Sequence, residues 1–221
     1  MLGSVWAIFL KDLKSELRTR YALNALIMFV VVTISMLLFA TAGEVLSAEL
    51  LSGLLWVVIF FSAMSGLSRT FVSEEDRGTV IFLQLSARPS VVYFGKLLFN
   101  LVLIFGINFF VVVAYLLTME NFKVRSFDVF LVALILGGMG LASTSTIIAA
   151  IIAKANTKGT LYPVLSFPIL LPLLITAINM TQLSIEGASL AETTGHLRIL
   201  FSYFFVVIIA SYLLFDYIWK E

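Results

Sequence analysis

Cysteine is absent from this sequence, and histidine occurs once, at position 196. The first absence excludes disulfides, thiolate nucleophiles, Cys-rich metal sites and covalent haem attachment. The second means that a His-based metal or acid–base cluster would need ligands from another chain. Charge is scarce too. Only 12% of the residues are Asp, Glu, Lys or Arg, against about 25% in an ordinary soluble domain. The net charge of +1 carries no message about ligands. The few charges leave six stretches with none at all, at 21–43, 50–68, 97–119, 129–153, 159–185 and 199–215. About 20 helical residues cross a hydrocarbon core about 30 Å thick. Soluble, disordered and nucleic-acid-binding readings are therefore excluded. The expected fold is an all-α polytopic membrane protein with six transmembrane helices and room for little else.

The expected organisation is a single transmembrane domain over 1–221. It comprises an interfacial amphipathic helix at 1–20, spans at about 21–43, 50–71, 95–118, 129–153, 160–181 and 198–219, and a cytoplasmic segment at about 72–94. The first apolar stretch is longer than a signal h-region and no Ala-x-Ala site follows, so it is expected to be a span and not a cleaved leader. In 1–20, Trp6, Phe9, Leu10, Leu13 and Leu17 recur at helical spacing on one side, with Lys11, Lys14 and Arg18 on the other. That pattern suits a helix in the membrane interface, or one packed on the protein itself. Counting Lys and Arg between spans gives eleven on the side of both termini and three on the other. The positive-inside rule then puts the N- and C-termini in the cytoplasm.

The longest hydrophilic connection carries Glu74, Glu75 and Asp76, then Arg77, Gly78 and Thr79, then an apolar run from Val80 to Leu85. That run is too short to span, so it needs either the end of the bundle or a partner to bury it. The fifth span contains Pro163, Pro168 and Pro172, which predicts a kinked or broken helix, with an extra surface or re-entrant segment after it. In the fourth span Gly138, Ala142, Thr146 and Ala150 form a small-residue stripe suited to close helix packing. No catalytic constellation appears. The acids lie at span edges, not mid-membrane, which disfavours ion-coupled transport. Gly95-Lys96 is followed by Leu97, so there is no phosphate-binding loop, and any ATP must be bound by another subunit. Asn108 is the most buried-looking polar residue of the spans, read either as a helix–helix hydrogen bond or as a substrate contact. His196 reads as a solvated residue or, less simply, as a ligand to metal or haem iron.

Two blocks carry a resemblance. Phe71-Val-Ser-Glu-Glu-Asp-Arg-Gly-Thr79, continued by Pro89-Ser-Val-Val-Tyr-Phe-Gly-Lys-Leu-Leu-Phe-Asn100, resembles an acidic patch, a Gly-Thr step and a Gly-Lys-x-x-x-Asn start to the third span. Leu161-Tyr-Pro-Val-Leu-Ser-Phe-Pro-Ile-Leu-Leu-Pro172 resembles a Leu-x-Pro-x-Leu-x-x-Pro-x-x-x-Pro pattern. On these the chain is similar to the CcmB family, the permease subunits of haem export in cytochrome c maturation, within the ABC-2-type permeases. Val80-Ile81-Phe82 departs from that family, many of whose members carry Leu followed by an acid there.

The resemblance implies a non-catalytic subunit of the bacterial inner membrane. Its partners would be a cytoplasmic CcmA-like ATPase, CcmC-like and CcmD-like membrane proteins, a second copy of itself and, indirectly, a CcmE-like haem chaperone. Haem is then the possible cargo, ATP sits on the partner, and no cofactor or metal is assigned to this chain. The resemblance also implies a coupling helix in the first cytoplasmic connection, where Glu74, Glu75, Asp76, Arg77, Gly78, Thr79, Val80 and Leu83 fall. Pro163, Pro168 and Pro172 are expected to bend or gate the central interface. Gly138, Ala142 and Thr146 are expected to pack helices. Read from the residues alone, a permease for lipid or polysaccharide and a non-transporting assembly scaffold remain open.

The charge asymmetry makes a direct prediction. Cysteines introduced at Ser47 and Ser189 should react with a membrane-impermeant thiol reagent in intact cells, and one at Ser73 should not. The opposite pattern would invert the topology.

Overall fold

The computed structural model describes residues 2–41, 44–154 and 161–220, and the side chains within them other than those of Thr19, Tyr21, Ala22, Leu161, Pro163 and Lys220. Among the described residues every regular element is an α-helix: α1 Leu2–Thr19, α2 Tyr21–Ala40, α3 Ala48–Leu67, α4 Arg69–Asp76, α5 Val80–Ser86, α6 Pro89–Thr118, α7 Phe127–Ala153, α8 Leu161–Glu186 and α9 Thr194–Lys220. Six are long and apolar enough to cross a membrane: α2, α3 (running on into α4), α6, α7, α8 and α9. In hydrocarbon the backbone must satisfy its own polar groups, which an apolar helix does.

Local chemistry sets the helix ends. Ser47 caps α3, its Oγ accepting from the Leu50 amide at 3.3 Å. Pro89 stands in the first turn of α6, where a missing N–H costs nothing. Gly187, at φ +95°, closes α8 and donates its amide to the Leu183 carbonyl at 3.0 Å. Gly78, at φ +65°, turns the chain between α4 and α5, a conformation that disfavours a side chain.

α7 is the central helix, packed on α3, α4, α6, α8 and α9. Its small residues let the neighbours close in. Trp56 of α3 is buried over Gly137 and donates its indole N–H to Thr181 Oγ1 of α8 at 2.9 Å, tying three helices together. The Gly138–Thr146 stripe faces α6: Gly138 lies against Asn108, and Thr146 Oγ1 accepts from Asn100 at 2.8 Å. Asn108 itself donates to the Leu134 carbonyl of α7 at 3.4 Å.

One feature differs from the sequence expectation, and two decide between its alternatives. The third long helix starts at Pro89, not 95, because the proline-initiated turns before the apolar run pack inward through Val91, Val92 and Tyr93. Of the kinked and broken readings of the proline-rich span the break is excluded, because α8 is one continuous helix through Pro168 and Pro172. Two carbonyls of this stretch also accept from side chains: Tyr203 of α9 donates to the Ile169 carbonyl at 3.0 Å, and Thr176 Oγ1 to the Pro172 carbonyl at 2.7 Å. Finally, of the surface and re-entrant readings of the segment after it, the first holds: 187–193 is a mostly exposed turn. Both the Arg125 and the Ser126 amides donate to the Ser184 carbonyl at the end of α8, at 3.1 and 3.0 Å.

Close approach at Gly137 makes a prediction. A Cβ there would lie 2.2 Å from Trp56 Cη2, so a wedged indole has to move, whereas one at Gly53 meets open space. Gly137→Ala should cost about 1–3 kcal/mol in SDS-unfolding free energy. Gly53→Ala should change it by less than about 1 kcal/mol.

Candidate functional site: a buried ion cluster beneath a short exposed helix

α1 has three faces. Val5, Ile8 and Phe9 are buried and share their side with Asp12. The next side holds Leu2, Trp6 and Leu17, all more than half exposed, and the third holds Lys11, Lys14 and Arg18. The buried side packs on α6 at Gly95, where a Cβ would come within 2.7 Å of Ile8. Phe9, assigned from sequence to the same side as Trp6 and Leu17, therefore belongs to the face that meets the protein.

That contact brings Asp12 to the next residue of α6, Lys96, which is 1% exposed. Its ammonium lies 3.0 Å from Asp12 Oδ2 and 2.8 Å from Glu74 Oε1 of α4, and donates to the Thr70 carbonyl at 3.0 Å. The Phe71 ring lies 5.6 Å away. Lys11 completes the cluster, 3.2 Å from Asp12 Oδ1 and hydrogen-bonded to Glu74 Oε1. Two lysines thus balance two carboxylates. Burial pulls the Lys11 ammonium down, but Glu74 and Asp12 outweigh it and hold it above the ordinary lysine value. One turn beyond Lys96, buried Asn100 accepts from Thr70 Oγ1 at 2.7 Å and donates to Thr146 of α7. Phe71 stacks among Phe215 and Trp219 of α9 at 5.6 and 5.9 Å. Four helices, α1, α6, α7 and α9, are therefore linked around α4.

α5 sits directly over this cluster. Thr79 Oγ1 donates to Glu74 Oε2, linking the first residue before α5 to the ion cluster. Val80 and Leu83 turn inward, at 8% and 7% exposure. Gln84 Nε2 donates to the Trp219 carbonyl at 2.6 Å. The opposite face is bare: Ile81, Phe82 and Leu85 are 69%, 73% and 85% exposed.

The geometry reassigns several expected residues. Val80 and Leu83, expected to meet a partner, hold α5 to its own subunit, because their spacing places both on the inner side of a short helix. Glu74, expected at an exposed rim, is buried as the counter-ion of two lysines. Glu75 is half-buried, and Asp76, Arg77, Gly78 and Thr79 are exposed, with Arg77 donating to Ser15 Oγ of α1 at 3.0 Å. Pro168 and Pro172 lie on the outward side of α8, and the side chain of Pro163 lies outside the described residues. His196 is half-buried in the first turn of α9. Sequence reasoning missed the roles of Lys11, Asp12, Lys96 and Asn100. The available signal was spacing: Lys96 and Asn100 share a helix face, as do Ile8 and Asp12.

Six helices long and apolar enough to cross a membrane, with short helices outside them, define a polytopic α-helical membrane protein. The chain belongs to the CcmB protein family, whose model matches residues 3–215, from α1 into α9. A comparison with curated proteins found no match. The family is that of the membrane subunit of a haem-export ABC transporter in cytochrome c biogenesis, a permease subunit, generally non-catalytic, that works with partners such as an ATPase.

The cluster predicts non-additive energetics. Removing one partner of a buried ion pair leaves an uncompensated charge and costs about 3–5 kcal/mol. Lys96→Met or Glu74→Leu alone should show that loss in SDS unfolding. The double variant should lose less than the sum, since both buried charges are then gone.

Proposed function

We propose that α5 is the element through which ATP hydrolysis in a partner is coupled to this permease subunit. One observation carries the reading. Ile81, Phe82 and Leu85 form an apolar face on a short helix outside the spans, fixed from behind by Val80, Leu83 and Gln84. In water such a face is unfavourable unless covered, and each side chain seated in a groove contributes about 1.5–3 kcal/mol. The half-buried Glu75 and the exposed Asp76 and Arg77 rim the same end. Rim charges add about 0–1 kcal/mol per pair, and mainly steer association. The positive-inside count supports placing this end, with both termini, in the cytoplasm of a bacterial inner membrane.

On this reading the partner is a CcmA-like ATPase, which binds the ATP. CcmC-like and CcmD-like proteins and a second copy of the chain complete the complex, and a CcmE-like chaperone receives or releases haem, the cargo. Pro168 and Pro172, exposed on α8, stand where a second copy would meet a bend or gate. Buried Glu74 and Thr79 belong to the path by which a push on α5 reaches α1 and α6.

Phe82→Asp should abolish co-purification of the ATPase while leaving the subunit's own melting temperature within a few degrees. Leu83→Asp should lower that melting temperature, because it faces inward. Glu75→Lys should weaken the complex mostly at low salt. Retention of the ATPase by Phe82→Asp would exclude α5 as the docking element.

A further inference from the structure

Between α1, α4, α5 and α6 lies a cavity of about 1010 Å³. Its wall includes Lys14, Arg18 and Arg69, all exposed and all without an ionic or hydrogen-bonding partner among the described residues. Carboxylates line it as well, but Asp12 and Glu74 are paired with Lys96 and Lys11, and Glu16 and Asp76 are engaged with neighbours. The unspent charge of the cavity is positive.

The cavity continues into a second space. Glu16, Leu26, Phe99 and Leu103 line both. Beyond them a groove of about 270 Å³ runs between α2 and α6, walled by Leu23, Ile27, Val30, Val102, Gly106 and Phe110. Apart from Glu16 at its mouth, the groove is apolar. Its α6 wall runs from Phe99 to Phe110, about 16 Å at 1.5 Å per residue. That is about half of a hydrocarbon core roughly 30 Å thick, the depth of one leaflet.

We propose that this is a binding site for one anionic phospholipid of the leaflet on the α1 side. The headgroup phosphate sits against Lys14, Arg18 and Arg69, and one acyl chain lies in the α2–α6 groove. Basic recesses beside transmembrane helices hold anionic headgroups in this way, and the adjoining bilayer supplies the ligand. Haem is also an anionic amphiphile. The groove suits a flexible chain better than a flat macrocycle, and its described lining holds no His, Cys, Met or Tyr to ligate iron. The cavity borders the proposed ATPase contact, since Phe82, Asp76 and Arg77 also line it, but the groove between α2 and α6 contains no residue of α4 or α5.

The test uses the full chain, delipidated in a neutral detergent and titrated with dioleoylphosphatidylglycerol or dioleoylphosphatidylcholine, with bound lipid read by native mass spectrometry. Phosphatidylglycerol should bind at least about tenfold more tightly, with the preference shrinking as salt rises. Lys14→Gln/Arg18→Gln/Arg69→Gln should bring the two lipids within about threefold. Gly106→Phe, built at a position where an added Cβ meets open space, should fill the groove and reduce binding of both lipids. Circular dichroism and melting temperature check that each variant folds, and the wild-type comparison of lipids needs no variant. Equal affinity for the two lipids would overturn the proposal. So would unchanged lipid binding in Gly106→Phe, competition by glycerol phosphate at equal concentration, or displacement of the lipid by haemin at lower concentration than phosphatidylglycerol itself.

Discussion

An ammonium group enclosed at the end of a helix bundle must be neutralised where it stands, and the burial of Lys96 imposes that condition on everything around it. Two carboxylates have to reach the same point, and neither is on α6. Asp12 arrives only if α1 lies flush against α6, which Gly95 permits by having no side chain to oppose Ile8. Glu74 arrives only if α4 is rotated with that face inward, which also sets Thr70 beside Asn100 and Phe71 against α9. The rotation of α4 in turn directs the turn at Gly78, and so decides which face of α5 is left bare.

Such a cluster is poor evidence for net stability. Desolvating Lys96, Asp12 and Glu74 costs most of what the attraction returns, and apolar replacements of similar size are often as stable or more so. What apolar contacts lack is direction. An apolar patch tolerates slippage of α1 along α6 by a turn; a lysine shared by Asp12, Glu74 and the Thr70 carbonyl does not. The cluster therefore acts as a register mark for the three elements outside or at the edge of the membrane, while Trp56, Gly137 and Thr181 hold the spans themselves.

Apolar length made the six crossings legible, because hydrocarbon thickness leaves few alternatives for a chain with such long uncharged runs. The small-residue stripe was legible for a similar reason: spacing of four puts Gly138, Ala142 and Thr146 on one face, and close packing is the use a bilayer makes of it. The ion cluster was not. Lys96 sits at the edge of an apolar run, where a cation ordinarily faces headgroups, and composition does not distinguish a snorkelling lysine from an enclosed one. Asp12 lies among apolar residues whose two faces are both hydrophobic, one exposed and the other meeting α6, so a single amphipathic division of α1 merges them. Val80 and Leu83 failed for want of length. In seven residues the inward and outward apolar faces overlap in any periodicity, and only the packing of α4 and α9 beneath tells them apart.

The magnitude of the contact proposed for α5 bears on what it could accomplish. A ligand shifts a conformational equilibrium only by the difference between its affinities for the two states. Turning a 1:99 population into 99:1 takes about 5.5 kcal/mol of such difference. Three apolar side chains at about 1.5–3 kcal/mol each supply roughly 4.5–9 kcal/mol before the entropy of docking is deducted. Contact with Ile81, Phe82 and Leu85 is therefore sufficient to drive the subunit only if most of it is made in one state and lost in the other. A helix rigidly joined to its subunit meets that condition better than a loose one. Gln84 ties α5 to the Trp219 carbonyl of α9, Thr79 ties its start to Glu74 of the ion cluster, and Val80 and Leu83 are buried, so displacing it breaks bonds to two helices and exposes apolar surface.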